Sequence, residues 1–215
     1  MPKSTDNLDT ISEQIRLTLA AKDAAREKAL PLCREVIRYC SQAIRAVHRQ
    51  EFDQTKELLK TARGLLDQAE ETLADAPELS NTGFLKDAQK EYAEGCAILA
   101  LVTGEPLPDP ARLSVDPAAY LNGLGEAASE VRRYLLDGVR KGDLSRGEEL
   151  LGAMDDVYNV LVTMDFPDAI TGGLRRTTDM LRAVLERTRS DLTLVIRQQE
   201  LEKKLERFEG KSKWS

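Results

Sequence analysis

Apolar residues along this chain recur at spacings of three, four and seven, and no stretch alternates with period two long enough to make a convincing strand. From Asp6 to about Gln50, Ile11, Ile15, Leu17 and Leu19, then Val36, Ile37, Ile44 and Val47, follow the helical period. Thr10-Ile11-Ser12-Glu13 fits a capping box near the start. Pro31 lacks an amide hydrogen and predicts a kink or break inside this stretch. A second helix is expected from about Glu51 to Ala76, with Phe52, Leu58, Leu59, Leu65, Leu66 and Leu73 apolar, ending at Pro77. A third follows Ser80-Asn81-Thr82-Gly83 and runs through Glu91 and Leu101 to Gly104.

The segment Glu105-Pro106-Leu107-Pro108-Asp109-Pro110 holds three prolines and cannot continue a helix. Asp116-Pro117, an N-cap residue followed by proline at the first helical position, restarts one that runs to about Lys141. Gly142-Asp143 ends it, and Ser145-Arg146-Gly147-Glu148 fits a second capping box opening a helix to about Met164. After Asp165-Phe166-Pro167 the last helix extends to about Phe208, its first turns weakened by Gly172-Gly173. The pattern predicts one all-α domain over residues 1–209, six or seven helices with long first and last members, and a mobile charged tail over 210–215. A helix of about 40 residues is roughly 60 Å long, more than the width of a compact domain of this size, so a homo-oligomer is expected.

Composition narrows the chemistry. Ala, Leu, Glu, Lys and Arg make up about half of the 215 residues, as in long helices, and only 5% are aromatic. No run of about 18 apolar residues is present to cross a membrane. The polar start Met1-Pro2-Lys3-Ser4-Thr5-Asp6 has no apolar core of a secretory signal. Three unclustered cysteines, Cys33, Cys40 and Cys96, point to free thiols in a reducing, cytoplasmic setting, with Cys33 and Cys40 as small core residues. The single histidine, His48, excludes a HExxH zinc site and the paired Glu-x-x-His set of a di-iron bundle. A Ser-His or Cys-His nucleophile would need His48, and no nucleophile elbow lies near it. Any chemistry here is carboxylate chemistry.

Two acidic pairs fit that requirement. Glu91 and Glu94 stand at i and i+3 on one expected helix, Glu126 and Glu130 at i and i+4 on the next, and both spacings put the side chains on one face. Their flanks are small and mostly apolar: Ala93, Gly95, Cys96 and Ala97 around the first, Gly123, Gly125, Ala127 and Ala128 around the second. Such residues let two helices approach closely. Four carboxylates brought together raise each other's pKa unless a cation compensates, and a hard divalent ion such as Mg²⁺ or Mn²⁺ does so. A solvated acidic face with salt bridges to Lys90, Arg132 or Arg133 satisfies the same spacing.

The run Ala119-Tyr120-Leu121-Asn122-Gly123-Leu124-Gly125-Glu126-Ala127-Ala128-Ser129-Glu130-Val131-Arg132-Arg133, followed by Gly142-Asp143, resembles the translin family, in which a Tyr-Leu-x-Gly segment leads into an acidic pair. Lys90-Glu91-Tyr92-Ala93-Glu94-Gly95 resembles the Glu-Tyr-x-Glu motif of the translin-associated factor X branch. The resemblance implies an all-α RNA-binding protein that closes into an octameric shell, with a second translin-type subunit in some assemblies. In the catalytic branch it further implies a Mg²⁺-dependent endoribonuclease, whose acids map onto Glu91, Glu94, Glu126 and Glu130. The motif of that catalytic branch has aspartate where Glu126 stands, so this side chain reaches one methylene further.

A formal charge of −6 argues against coating by nucleic acid, yet charge is uneven. Between Cys33 and Arg63 seven basic residues face four acidic ones, with Arg34, Arg38 and Arg45 on one helix face. Lys86 and Lys90 precede Glu91, and Arg133 follows Glu130. These are the expected RNA contacts, to the backbone rather than to bases, since few aromatics are available for stacking. Two rival readings are a non-catalytic RNA-binding protein and a helical scaffold for a protein partner. The tail residue Trp214 suggests no chemistry.

Overall fold

The computed structural model describes residues 4–80 and 83–212, with backbone only at Ser80 and 209–212. Among these residues the chain forms helices and no strand, as the periodicity predicts. They are α1 (Leu8–His48), α2 (Phe52–Thr72), α3 (Pro77–Ser80), α4 (Gly83–Thr103), α5 (Pro110–Leu113), α6 (Pro117–Arg140), α7 (Gly147–Val162), α8 (Asp168–Thr171) and α9 (Leu174–Ser212). The six long helices are those read from the sequence. The single turns α3, α5 and α8 are too short for a periodic signal, and each starts at or just after a proline that fixes φ for a first turn.

The core has two parts joined by α6. In the larger, α1 and α2 pack as a hairpin, α4 lies against α1 and α6, and Val36, Leu66, Ile98 and Leu124 are buried together. In the smaller, Val131 and Leu135 of α6 meet Leu150 and Met154 of α7 and Leu185 and Leu192 of α9. α4 is the most enclosed element: from Tyr92 to Ala100 only Cys96 is not buried. Cys33 and Cys40 are buried core residues, as expected.

What brings α4 and α6 together is the absence of a side chain. A Cβ on Gly123 would lie 2.5 Å from the Lys90 carbonyl oxygen and 2.9 Å from the Glu94 amide nitrogen. One on Gly125 would lie 2.6 Å from a methyl carbon of Thr177, and one on Gly95 2.8 Å from a methyl carbon of Leu59. The small residues flanking the acidic pairs therefore do what their size suggested.

Several local expectations are corrected. Thr10 and Ser12 lie inside α1, which starts at Leu8; the Ser12 hydroxyl donates to the Asp9 carbonyl, so no capping box forms. Pro31 does not break α1: it sits on the exposed side, where a carbonyl left without its amide partner can meet water. α2 ends at Thr72, earlier than Ala76. Ser145 bonds to Asp143 rather than capping α7, which opens two residues later. Gly172 and Gly173, with φ of 60° and 88°, separate α8 from α9 outright. By contrast, Asp116 caps α6 through the amides of Ala118 and Ala119. α9 runs to Ser212, past Phe208; residues 213–215 of the expected tail, Trp214 among them, lie outside the described residues.

Both long helices overrun the core. No side chain from Leu8 to Lys28 is buried, and Ile15, Leu17 and Leu19 are more than half exposed. Beyond Leu192 no described side chain of α9 is buried, and Leu201, Leu205 and Phe208 face outward. Among the described residues no helix is long and apolar enough to cross a membrane.

The α4–α6 contact predicts that Gly123→Ala lowers stability by about 1–3 kcal/mol, since backbone atoms must move to admit the methyl. Urea unfolding of the two proteins side by side tests this; an unchanged midpoint would show that the helices are free to separate.

Candidate functional site

Glu91 and Glu94 project from α4 and Glu126 and Glu130 from α6, across the seam that Gly123 permits. Carboxylate oxygens of Glu91, Glu94 and Glu126 lie within 4.8 Å of one another. Glu94 is the innermost, its residue only 7% exposed. Burial, and then the charges of Glu91, Glu126 and Glu130, push its carboxyl up to about 8. Burial also raises Glu91, an effect that Lys90 partly offsets.

Two cationic or hydrogen-donating groups reach into this acidic seam. Lys90 Nζ stands 2.9 Å from Glu126 and 3.7 Å from Glu91. Burial works to lower the Lys90 pKa, but the Glu126 hydrogen bond and the charges of Glu126, Glu91 and Glu94 outweigh it, and the ammonium is held. The salt bridge to Lys90 considered from the sequence is thus present, inside the cluster rather than on a solvated face. On the other side, His48 at the end of α1 donates from Nε2 to Glu130 at 2.8 Å. That bond, chiefly, lowers the Glu130 pKa. The His48 side chain is 6% exposed and its Nδ1 is buried with no partner among the described residues.

The four glutamates therefore divide. Three form one oxygen-lined group, and Glu130 beside them is committed to His48. Oxygen donors alone, one of them protonated near neutrality by burial and by the charges of its acidic neighbours, suit a hard divalent ion and no soft one. Cys40, next to Glu91 and Glu94, is kept a thiol by burial and by those carboxylates, and is no ligand.

The basic residues named from the sequence fall in two places. Lys86, 3.9 Å from Asp116, and Lys90 line a cleft of about 400 Å³ beside Glu126. Arg133 is exposed on α6, close enough to Glu130 to lower its pKa. Arg34, Arg38 and Arg45 line the exposed side of α1, where Arg38 pairs with Glu35 and lies over the Tyr39 ring. Arg132 turns the other way, to Thr188 and Asp191 of α9. Sequence reasoning missed Arg176, which lines the same cleft as Lys90. It also gave His48 no role beside the acids. Neither had a local signal.

No protein-family model matches the chain. An uncharacterized protein of Methanocaldococcus jannaschii is 29% identical over 193 residues, covering 89% of this chain and 85% of its own. Among solved structures, the crystal structure of AfC3PO superposes with a TM-score of 0.79 at 32% identity, covering 86% of this chain and 97% of that one. A complex of AfC3PO with duplex RNA gives 0.78 at 32% identity, with 86% and 96% covered. Apo-NeC3PO gives 0.75 at 17% identity, with 90% and 100% covered, a likeness of fold alone.

The raised Glu94 carboxyl has a sign that stability can read. Its pKa goes from an ordinary 4.5 to about 8, so between these values the folded state holds a proton the unfolded chain has lost. This group then destabilises the metal-free fold increasingly as pH rises from 4.5 to 8, and fully above. Glu94→Gln, in EDTA, is expected to match the wild type near pH 4.5 and to melt higher by on the order of 5 °C above pH 8. Melting curves that stay parallel across this range would show that Glu94 is not charge-strained.

Proposed function

This chain belongs to the translin family that the C3PO structures represent, and on that premise we propose that it is an RNA-binding, Mg²⁺-dependent endoribonuclease. The observation that carries the proposal is the oxygen cluster of Glu91, Glu94 and Glu126 with Glu130 alongside. That AfC3PO has been seen with duplex RNA supports RNA as the ligand class. The cluster fits Mg²⁺, or Mn²⁺ in its place: carboxylates on two rigid helices, mutually repelling until a divalent charge joins them. When bound, such an ion activates a water against a phosphodiester and stabilises the leaving oxygen.

The protein's own groups have separable tasks. Glu91 and Glu94 of α4 and Glu126 of α6 would hold the ion. Glu130, held beside the cluster by its hydrogen bond to His48, stays ionised and would be the proton acceptor for the attacking water. His48 is a positioning residue: its hydrogen bond selects one Glu130 rotamer. Lys86, Lys90 and Arg133, nearest the cluster, hold phosphates of the strand, and Arg34, Arg38 and Arg45 extend the contact to the backbone further away. Exposed apolar positions on the overrunning parts of α1 and α9 support a homo-oligomer, an octamer by family likeness, with a second translin-type subunit as an allowed partner.

One observation favours a second reading. Lys90 already compensates part of the acidic charge, as a non-catalytic RNA-binding protein with structural carboxylates would need. End-labelled RNA incubated with Mg²⁺ or with EDTA separates the two. Cleavage in Mg²⁺ alone, lost in Glu94→Ala and Glu130→Ala while RNA affinity persists, is the expected result; RNA bound but intact would install the second reading. Absence of RNA binding at moderate salt would move the protein to the scaffold class.

His48 gives a finer test. His48→Ala is expected to lower kcat by about 10–100-fold with KM little changed, and His48→Gln, whose amide can donate in the same direction, to recover most of it. Equal activity in wild type and the alanine variant would remove His48 from the mechanism.

A further inference from the structure

The cleft beside Glu126 is built for more than proximity to the acids. It opens between α4 and α6 on one side and the α8–α9 junction on the other, with Lys90 and Glu126 shared between it and the carboxylate cluster. Its size, about 400 Å³, falls in the range of small-ligand sites, about 300–1,000 Å³. Three cationic side chains, Lys86, Lys90 and Arg176, line it against the two acids Asp87 and Glu126.

Arg176 is the distinctive member. The other arginines that lie between helices are committed: Arg63 to Asp67 and Glu70, Arg132 to Asp191, Arg146 to Glu149, Arg189 to Asp155. Arg176 is exposed and makes no ion pair among the described residues. Beside it Ile170 and Met180, 64% and 49% exposed, form an apolar rim to the same cleft. Gly172 and Gly173 supply a stretch of wall without side chains. The wall is stiff, because buried Asn122 of α6 donates to the Thr171 carbonyl and accepts from the Thr177 hydroxyl, pinning the α8–α9 junction.

We propose that this cleft is a nucleotide subsite, taking the ribonucleotide next to the phosphodiester held at the carboxylate cluster, with its phosphate on Arg176 and Lys86 and its base on Ile170 and Met180. The inference rests on the RNA-binding reading above and adds to it a place, an anion clamp and an apolar platform. A free guanidinium supplies paired donors for phosphate oxygens. A base laid against exposed aliphatic side chains buries apolar surface without demanding a particular sequence. Glu126 at the junction ties the two sites, so a strand seated in the cleft presents its next phosphate to the acids.

Arg175, one residue away on the same turn, is the control. It lines a different cleft, with Asp165, Asp168 and Asp179, and meets Arg176 and Met180 only in an open groove that Lys86, Lys90 and Glu126 do not line, yet it carries the same charge and is also exposed. Binding of a short fluorescein-labelled single-stranded RNA is measured by anisotropy in EDTA across a salt series. Arg176→Glu is expected to weaken binding about tenfold or more and to flatten the salt dependence, and Arg175→Glu to change it less than about threefold. Met180→Asp, with melting unchanged, is expected to weaken binding at every salt concentration. Equal losses at 175 and 176, or none at 176 and 180, would overturn the subsite. Because the assay needs no cleavage, a wild type that never cuts RNA would sink the nuclease reading while leaving the subsite standing. Cleavage with an indifferent Arg176 would do the reverse.

Discussion

The contact on which the structure turns is backbone against backbone, where α6 at Gly123 meets α4 between Lys90 and Glu94. Helices normally keep 8–10 Å between axes because side chains intervene. Here the facing positions are glycine and alanine, and the approach carries two acidic pairs into one volume. α4 is enclosed along most of its length, so its carboxylates have little water of their own. An isolated buried carboxylate is expensive, and these are tolerated because neighbours answer them: Lys90 for Glu126 and Glu91, His48 for Glu130. Glu94, the deepest, forms no ion pair among the described residues, and burial with the charges of its acidic neighbours favours its protonated form.

How much of this was legible in the sequence depended on range. Helix identity, the facing of Glu91 with Glu94 and of Glu126 with Glu130, and the closeness allowed by Gly123 follow from spacing and size over a few residues. Capping was read less well. Thr10 and Ser145 carry the right side chains, but a helix that can start earlier, or an Asp143 that offers Ser145 a nearer bond, defeats the pattern. Pro31 misled because its effect depends on which way the freed carbonyl faces, and that is set by packing. His48 and Glu130 are 82 residues apart, and Arg176 reaches its cleft only through the turn at Gly172 and Gly173. Nothing within either segment encodes such meetings.

The result is an interior with a division between rigid and adaptable parts. The carboxylates sit on helices whose separation is set by contact, while the cationic groups around them are long side chains at the edge of solvent. Phosphate recognition tolerates such looseness because charge acts over several ångströms. Water activation does not, since reacting atoms must be aligned within fractions of an ångström.

Lys90 carries a further consequence. Proteins whose acidic sites are bare until metal arrives tend to fold only with it, because the ion holds the ligands together. Here a tethered ammonium already sits between Glu126 and Glu91 and offsets part of the repulsion that an ion would otherwise have to relieve. Loading the centre would then be an exchange of one cation for another within a finished protein, with Lys90 displaced toward the cleft it lines. On the proposed reading, folding would precede loading, and the ion would add stability to a fold already formed while governing activation.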